Sequence, residues 1–183
     1  MTLLHLDSSI QGDRSASRAM SAAVVDTLRA ADPAAQIVYR DLAADPVPHL
    51  SPDVLADPLA NRELQGFLAA DTIVIGAGLY NFGIPSQLKS WIDRILVAGQ
   101  TFRYTPEGPV GLAGGKRVIV AVSRGGFYDQ GNSLEHVEAY LKPLFNFLGI
   151  QPEFVFADGI GVSTEQRDSA IANSLAEIER LAA

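Results

Sequence analysis

The chain of 183 residues contains no cysteine. This absence excludes disulfides, iron–sulfur clusters and thiol redox chemistry, together with the small phosphatases that depend on a cysteine nucleophile. Histidine is also scarce, and the three that occur show neither the spacing of a metal site nor that of a catalytic triad. We therefore predict no metal and assign no catalytic role to a histidine.

Basic residues and long apolar runs are limited too. Fourteen Lys and Arg stand against 21 Asp and Glu, a formal net charge of −7 at pH 7, and no basic cluster is present. A nucleic-acid partner is therefore not expected. No segment approaches the roughly 18 apolar residues of a membrane span, and the N-terminus lacks the features of a signal peptide. We expect a cytoplasmic protein without membrane contact.

What the chain does contain is an alternation of short apolar runs and amphipathic segments, which predicts one α/β domain over residues 1–183. The predicted strands are residues 3–6, 36–39, 72–75, 117–122 and 153–156, and the predicted helices are 15–31, 61–69, 87–97, 133–148 and 164–181. Four prolines make residues 41–58 irregular with short helical turns. Pro143 should kink or break the fourth helix, and Thr164 should cap the fifth.

Parallel strands joined by right-handed crossovers bring helices to both faces of the sheet. The simplest architecture is a flavodoxin-like three-layer sandwich with a five-stranded parallel sheet in the order 2-1-3-4-5. In such sheets, ligands bind beyond the carboxyl ends of the strands. The loops that follow strands one, three and four are therefore the candidate site.

The first loop, residues 8–17, is rich in serine and leads into a helix. The free amides at a helix N-terminus can hold a phosphate, and Ser9, Ser15 and Ser17 would add hydroxyl donors. The alternative is that Ser15 only caps the helix while Ser8 and Ser9 form a turn. The loop matches neither a Walker motif nor a dinucleotide fingerprint.

The second loop carries Tyr80, Asn81 and Phe82 after the third strand. Aromatic and amide side chains suit a flat heteroaromatic ring with hydrogen-bonding edges, so we interpret it as a flavin-binding loop. Alternatively, Phe82 belongs to the core and Asn81 is a turn residue in the left-handed conformation.

The third loop contains Ser123, Arg124, Gly125 and Gly126. Paired glycines let backbone amides approach a ligand closely, and amides directed at N1 and O2 of a flavin would stabilise the negative charge of its reduced form. The alternative is a hairpin-like turn.

With these motifs, the chain resembles the family of FMN-dependent NAD(P)H azoreductases and quinone reductases almost from end to end. Members share the serine loop, the Tyr-Asn-Phe loop followed by Ser-Gln-Leu-Lys at 86–89, Thr-Phe-Arg-Tyr at 101–104, and Ser-Arg-Gly-Gly at 123–126. The resemblance implies that FMN is held by Ser9, Ser15, Ala16, Ser17, Leu79, Tyr80, Asn81, Phe82, Ser123, Arg124, Gly125 and Gly126. It also implies a substrate pocket lined by Tyr104, Phe127 and Phe147.

The implied reaction moves two electrons from NADH or NADPH through tightly bound FMN to quinones or aromatic azo compounds by a ping-pong mechanism. No side chain is catalytic, because the flavin N5 carries the chemistry. The resemblance also implies a homodimer with its active sites at the interface and with Phe147 acting across that interface.

Two other functions are possible on this fold. The first is a flavodoxin-type electron carrier without enzymatic activity. Against it, the first loop lacks the Thr- and Gly-rich composition usual in flavodoxins, and Arg14, Arg103 and Arg124 would place positive charge near the flavin. The second is a response-regulator receiver domain, which needs an acidic pair after the first strand. Only Asp7 is present there.

Overall fold

A computed structural model of the protein describes residues 1–129 and 132–181. In chain order its elements are β1 (Thr2–Asp7), α1 (Ala16–Ala31), β2 (Gln36–Asp41), α2 (Pro52–Ala56), α3 (Arg62–Ala69), β3 (Thr72–Gly78), α4 (Ser86–Ile95), β4 (Phe102–Thr105), β5 (Gly108–Gly111), β6 (Arg117–Arg124), α5 (Val137–Phe147), β7 (Glu153–Asp158) and α6 (Thr164–Leu181). Short 3₁₀ turns lie at Gly12–Arg14 and Pro58–Ala60.

The central sheet has the order β2-β1-β3-β6-β7, and each neighbouring pair in it is parallel. Counted along the chain, these five strands have the order 2-1-3-4-5, which confirms the predicted flavodoxin-like arrangement. Strands β4 and β5 form a separate antiparallel hairpin that the sequence analysis did not predict. Its strands have only four residues each, too few for a clear periodic pattern.

Apolar clusters lie on both faces of the sheet. On one face, Phe67, Trp91 and Phe145 bring α3, α4 and α5 against it. On the other face, Met20 and Ile178 do the same for α1 and α6. Strand β3 is buried along its whole length, because its successive side chains enter opposite clusters. Among the described residues, no helix combines the length and the apolar character needed to cross a bilayer.

Of the predicted kink or break at Pro143, the break does not occur, because α5 continues through it. Proline removes the hydrogen bond to the carbonyl four residues earlier, here that of Ala139. Both residues lie on the exposed side of α5, where water can replace that bond. The helix also begins later than predicted, at Val137, where the carboxylate of Glu135 accepts the backbone N–H groups of Val137 and Glu138.

Residue Thr164 is the first residue of α6 rather than its cap. The cap is Ser163, whose Oγ accepts the N–H of Gln166 at 3.1 Å. Residues 41–58 contain a single five-residue helix, α2, in agreement with the predicted irregular segment with short helical turns.

Helix α1 packs closely against β3 at Gly76. A Cβ atom there would overlap Oδ1 of Asp7 and would lie 3.0 Å from Oγ of Ser21 and 3.1 Å from the carbonyl oxygen of Ser17. These atoms belong to β1 and α1, so the lack of a side chain at residue 76 sets the distance between the helix and the sheet.

We expect Gly76→Ala to lower the free energy of unfolding by about 2 kcal/mol or more, because the added methyl group displaces buried polar groups. Gly66→Ala is the control, since nothing lies within 4 Å of a Cβ at this position in α3. That change should raise the free energy of unfolding by about 0.5–1 kcal/mol. Urea denaturation measures both, and a Gly76→Ala protein as stable as the parent would contradict the close packing.

Candidate active site

The three candidate loops meet at the carboxyl ends of the central strands. The Ser9 and Tyr80 hydroxyls lie 2.8 Å apart, which joins the first loop to the second. The backbone N–H of Leu79 donates to the carbonyl oxygen of Ser123 at 2.8 Å, which joins the second loop to the third. The structure therefore assembles one site from parts of the chain more than one hundred residues apart.

A cavity of about 290 Å³ lies between these loops. Six of the residues predicted to bind the cofactor line it, namely Ser9, Ser15, Leu79, Tyr80, Ser123 and Gly125. The other six predicted residues do not line this cavity; they are Ala16, Ser17, Asn81, Phe82, Arg124 and Gly126.

The serine loop combines both interpretations that the sequence allowed. Ser15 does cap α1, since its Oγ accepts the N–H of Arg18 at 3.3 Å, and it lies 3.1 Å from Oγ of Ser17. The amides of Ala16 and Ser17, in the first turn of α1, have no acceptor within the helix. Capping therefore leaves donors for an anion. Ser8 has a different role, because its Oγ donates to the carbonyl oxygen of Gly76 at 2.7 Å.

The aromatic loop is a tight turn in which Tyr80 and Gly83 exchange backbone hydrogen bonds of 2.9 and 3.0 Å. Asn81 and Phe82 both have positive φ, 47° and 70°. Asn81 is thus the left-handed turn residue of the alternative interpretation, but Phe82 is not a core residue, since 46% of it is exposed. A bulky residue in this conformation is strained, and such strain concentrates at functional sites.

The Arg124 side chain is already engaged. Its Nε and Nη2 atoms donate to the two carboxylate oxygens of Asp158 at 2.5 and 2.7 Å, and its guanidinium lies 4.1 Å from the ring centre of Phe156. Asp158 neutralises the positive charge that we expected Arg124 to bring to the site. What the third loop offers the cavity is therefore Ser123 and the backbone around Gly125.

The residues predicted for the substrate pocket lie apart from the cavity lining. The ring of Phe102 contacts those of Tyr104 and Phe147, with centres 5.5 and 4.8 Å away, and Tyr104 is 75% exposed on the hairpin. Phe127 is 63% exposed, and its ring covers Gly159.

Five further residues line the cavity that the sequence analysis did not single out, namely Gln11, Gly78, Ile160, Gly161 and Arg167. The loop after β7 comes alongside the third loop, because Ile160 and Gly161 donate to the carbonyl oxygens of Arg124 and Gly125 at 3.1 and 3.0 Å. The predicted strand order could have indicated the loop after β7, because the fifth strand ends at the same edge of the sheet as the fourth.

Comparison with known proteins agrees with this arrangement. A family described as having a flavodoxin-like fold matches residues 1–182. The chain is 53% identical to an FMN-dependent NADH:quinone oxidoreductase of Methylorubrum extorquens, with 96% of each chain covered. It is 52% identical to a protein of the same name from Xanthomonas campestris pv. campestris, with 99% of each chain covered.

The chain belongs to the FMN-dependent NADH:quinone oxidoreductase family. Membership in this family confirms the resemblance drawn from the loop motifs. Two solved structures of similar proteins support the same family assignment. An FMN-dependent NADH-azoreductase from Bacillus anthracis in complex with FMN superimposes with a TM-score of 0.85 at 30% identity. The match covers 100% of this chain and 99% of the azoreductase chain. A second azoreductase structure from Bacillus anthracis has a TM-score of 0.89 at 27% identity, and the match covers 100% of this chain and 98% of the azoreductase chain.

We expect Phe82→Gly to leave the free energy of unfolding unchanged or to raise it by up to about 1.5 kcal/mol. Relief of the left-handed conformation gains about 1–2 kcal/mol, and the greater freedom of glycine in the unfolded chain offsets about 0.5–1 kcal/mol. Val162→Gly is the control, since Val162 is 62% exposed but its φ is not positive. That variant should be less stable than the parent by chemical denaturation, and an equal loss in both variants would argue against strain at Phe82.

Proposed function

We propose that this chain is an FMN-dependent oxidoreductase that transfers two electrons from NADH or NADPH to quinones and, as a second acceptor class, aromatic azo compounds. The observation that carries the proposal is the cavity in which the serine loop at the N-terminus of α1 meets Tyr80 and the backbone of Gly125. The relatives named above support the part of the proposal that concerns FMN, NADH and quinones, which is what their names state.

The residues present fit FMN on three counts. The serine hydroxyls and the free amides at the start of α1 suit a phosphate, and the cavity continues from them past Tyr80 to Gly125. Nothing lies within 4 Å of a Cβ at Gly125, so the backbone there is open to a ligand. We propose that the serine loop holds the phosphate, that residues 79–82 flank the ring, and that the loop 123–126 contacts its pyrimidine end.

When bound, FMN supplies a two-electron carrier that accepts hydride from the nicotinamide and passes it to the acceptor. The protein contributes by binding and electrostatics. Backbone N–H groups around Gly125 and Gly126 would stabilise negative charge on the pyrimidine end, at fixed positions that need no rearrangement. The exposed ring of Phe82 would cover part of the reacting face against water. Donor and acceptor would enter the same opening in turn, which is a ping-pong order.

We also propose that the enzyme is a cytoplasmic homodimer whose partner copy covers an exposed surface beside the aromatic loop. A cleft of about 590 Å³ lies there, lined by Gly83, Ile84, Ser86, Lys89, His136, Ala139 and Tyr140. Its lining is mainly apolar, and an exposed apolar surface next to a site supports coverage by another chain. Phe147 would then contribute to the pocket of the other subunit.

We expect the purified protein to bind FMN, to lose the flavin absorbance band on anaerobic addition of NADH, and to recover it on addition of a benzoquinone. Absorbance spectroscopy follows each step. If flavin binds but neither NADH nor NADPH reduces it, the flavodoxin-type carrier is the better interpretation. If no flavin binds, the proposed site is wrong.

The Gly125→Val variant should weaken FMN binding by about tenfold or more, because its side chain would occupy space open to the ligand. The fold should be retained, as judged by circular dichroism, since no described atom lies within 4 Å of the new Cβ. Gly66→Val introduces the same side chain in an equally open position on α3 and should leave FMN affinity unchanged. Equal affinity in both variants would remove Gly125 from the site.

A further inference from the structure

The guanidinium of Arg18 lies behind the serine loop with every donor in use. Its Nε and Nη2 atoms donate to the carbonyl oxygen of Ser9 at 3.1 and 2.8 Å. Its Nη2 and Nη1 atoms donate to the two carboxylate oxygens of Asp41, each at 2.7 Å, and Nη1 also donates to the hydroxyl of Tyr39 at 3.2 Å. An arginine has five N–H donors, and these five hydrogen bonds account for all of them.

Arg18 is therefore not itself available to a phosphate. Its charge is paired with Asp41, which raises the pKa of Arg18 and is itself held at a lowered pKa by the arginine. The side chain of Arg18 is only 16% exposed, so the pair is partly shielded from solvent. Two of the five donors of Arg18 instead bind one backbone atom of the serine loop, the carbonyl oxygen of Ser9.

Arg18 is also linked, through a hydrogen bond to Tyr39, to buried residues of the core. The Tyr39 hydroxyl, which accepts from Arg18, donates to Oδ2 of Asp7 at 3.1 Å. Burial and the nearby charge of Asp7 raise the pKa of Tyr39 to about 12, so the hydroxyl keeps its proton at neutral pH. Asp7 is almost completely buried and accepts a second hydrogen bond, of 2.7 Å, from Ser21.

The hydrogen bonds from Arg18 fix the position of Ser9. With its carbonyl oxygen held by two donors, the Ser9 peptide is fixed, and its hydroxyl lies 2.8 Å from that of Tyr80 and 3.3 Å from the backbone nitrogen of Gln11. A loop fixed before the ligand arrives avoids the entropic cost of ordering its donors on binding.

We propose that Arg18, supported by Asp41, is a positioning residue that preorganises the serine loop for the phosphate group of the flavin. This inference rests on the proposed function, since it requires that the loop bind that phosphate. It assigns Arg18 a part in cofactor affinity without any contact with the cofactor. The effect is confined to the phosphate end, because the side chain of Arg18 contacts the loop at Ser9 and does not line the cavity.

The test compares FMN with riboflavin, which has the same ring system but no phosphate. Arg18→Lys keeps the charge but lacks the planar fork that binds Asp41 and Ser9 together. We expect its dissociation constant for FMN to rise about tenfold, as for the loss of hydrogen bonds to a charged group, and that for riboflavin to change less than about twofold. Asp41→Asn, which removes the charge that holds Arg18, should act in the same direction. Flavin fluorescence quenching measures both ligands.

Arg40→Lys is the matched control. Arg40 lies next to Asp41 on β2 and is also paired with two carboxylates, those of Asp45 and Glu63, but it makes no contact with the serine loop. This variant should bind both ligands as the parent does. If Arg18→Lys weakens FMN and riboflavin equally, or weakens neither, the positioning role is wrong. If the parent protein binds no FMN, the proposed function fails and this inference fails with it.

Discussion

The parallel pairing of β1, β3 and β6 is the constraint on which the site depends. Asp7 is opposite Gly76, and Gly78 is opposite Ser123, so the three strands end close together at one edge of the sheet. The loops that follow continue this pairing: Ser8 donates to the carbonyl oxygen of Gly76, and Leu79 to that of Ser123. Because the loops leave from aligned strand ends, the serine hydroxyls, the aromatic turn and the glycine pair meet without any long connection.

Beneath this edge lies a buried polar cluster where an apolar core would be expected. Oγ of Ser21 donates to Asp7 and lies 3.0 Å from Nε2 of His5, and the Tyr39 hydroxyl donates to the second oxygen of Asp7. Buried polar groups are costly unless they are paired, so this cluster is stable because its members satisfy one another. It has room because residue 76 carries no side chain, and it connects the core, through Tyr39, to the arginine behind the serine loop.

Other features of the same edge carry a cost in stability. Phe82 has a strained backbone and an exposed ring, and the backbone of Gly125 faces open space. By contrast, Arg124 has a buried, paired side chain, although it lies within the motif that first suggested a role in binding. Apart from Arg167, which lines the cavity, the site thus presents mainly backbone groups and hydroxyls to its ligand, while Arg18 and Arg124 hold the scaffold. That division suits a protein whose cofactor performs the reaction.

How much could be predicted from the sequence depended on the range of the interactions involved. Apolar periodicity and turn composition are local, so they determined the five strands and the helices between them. Right-handed parallel crossovers then made the order 2-1-3-4-5 the simplest one, which indicated three of the loops that form the site but not the loop after β7. The tertiary structure alone decided that Arg124 pairs with Asp158, that Pro143 lies on an exposed helix face, and that Arg167 reaches the cavity. It also decided that all five donors of Arg18 are engaged, three of them by Tyr39 and Asp41. In each case the partner or neighbour is distant in sequence, and no local pattern encodes the spatial proximity that only the packed sheet creates.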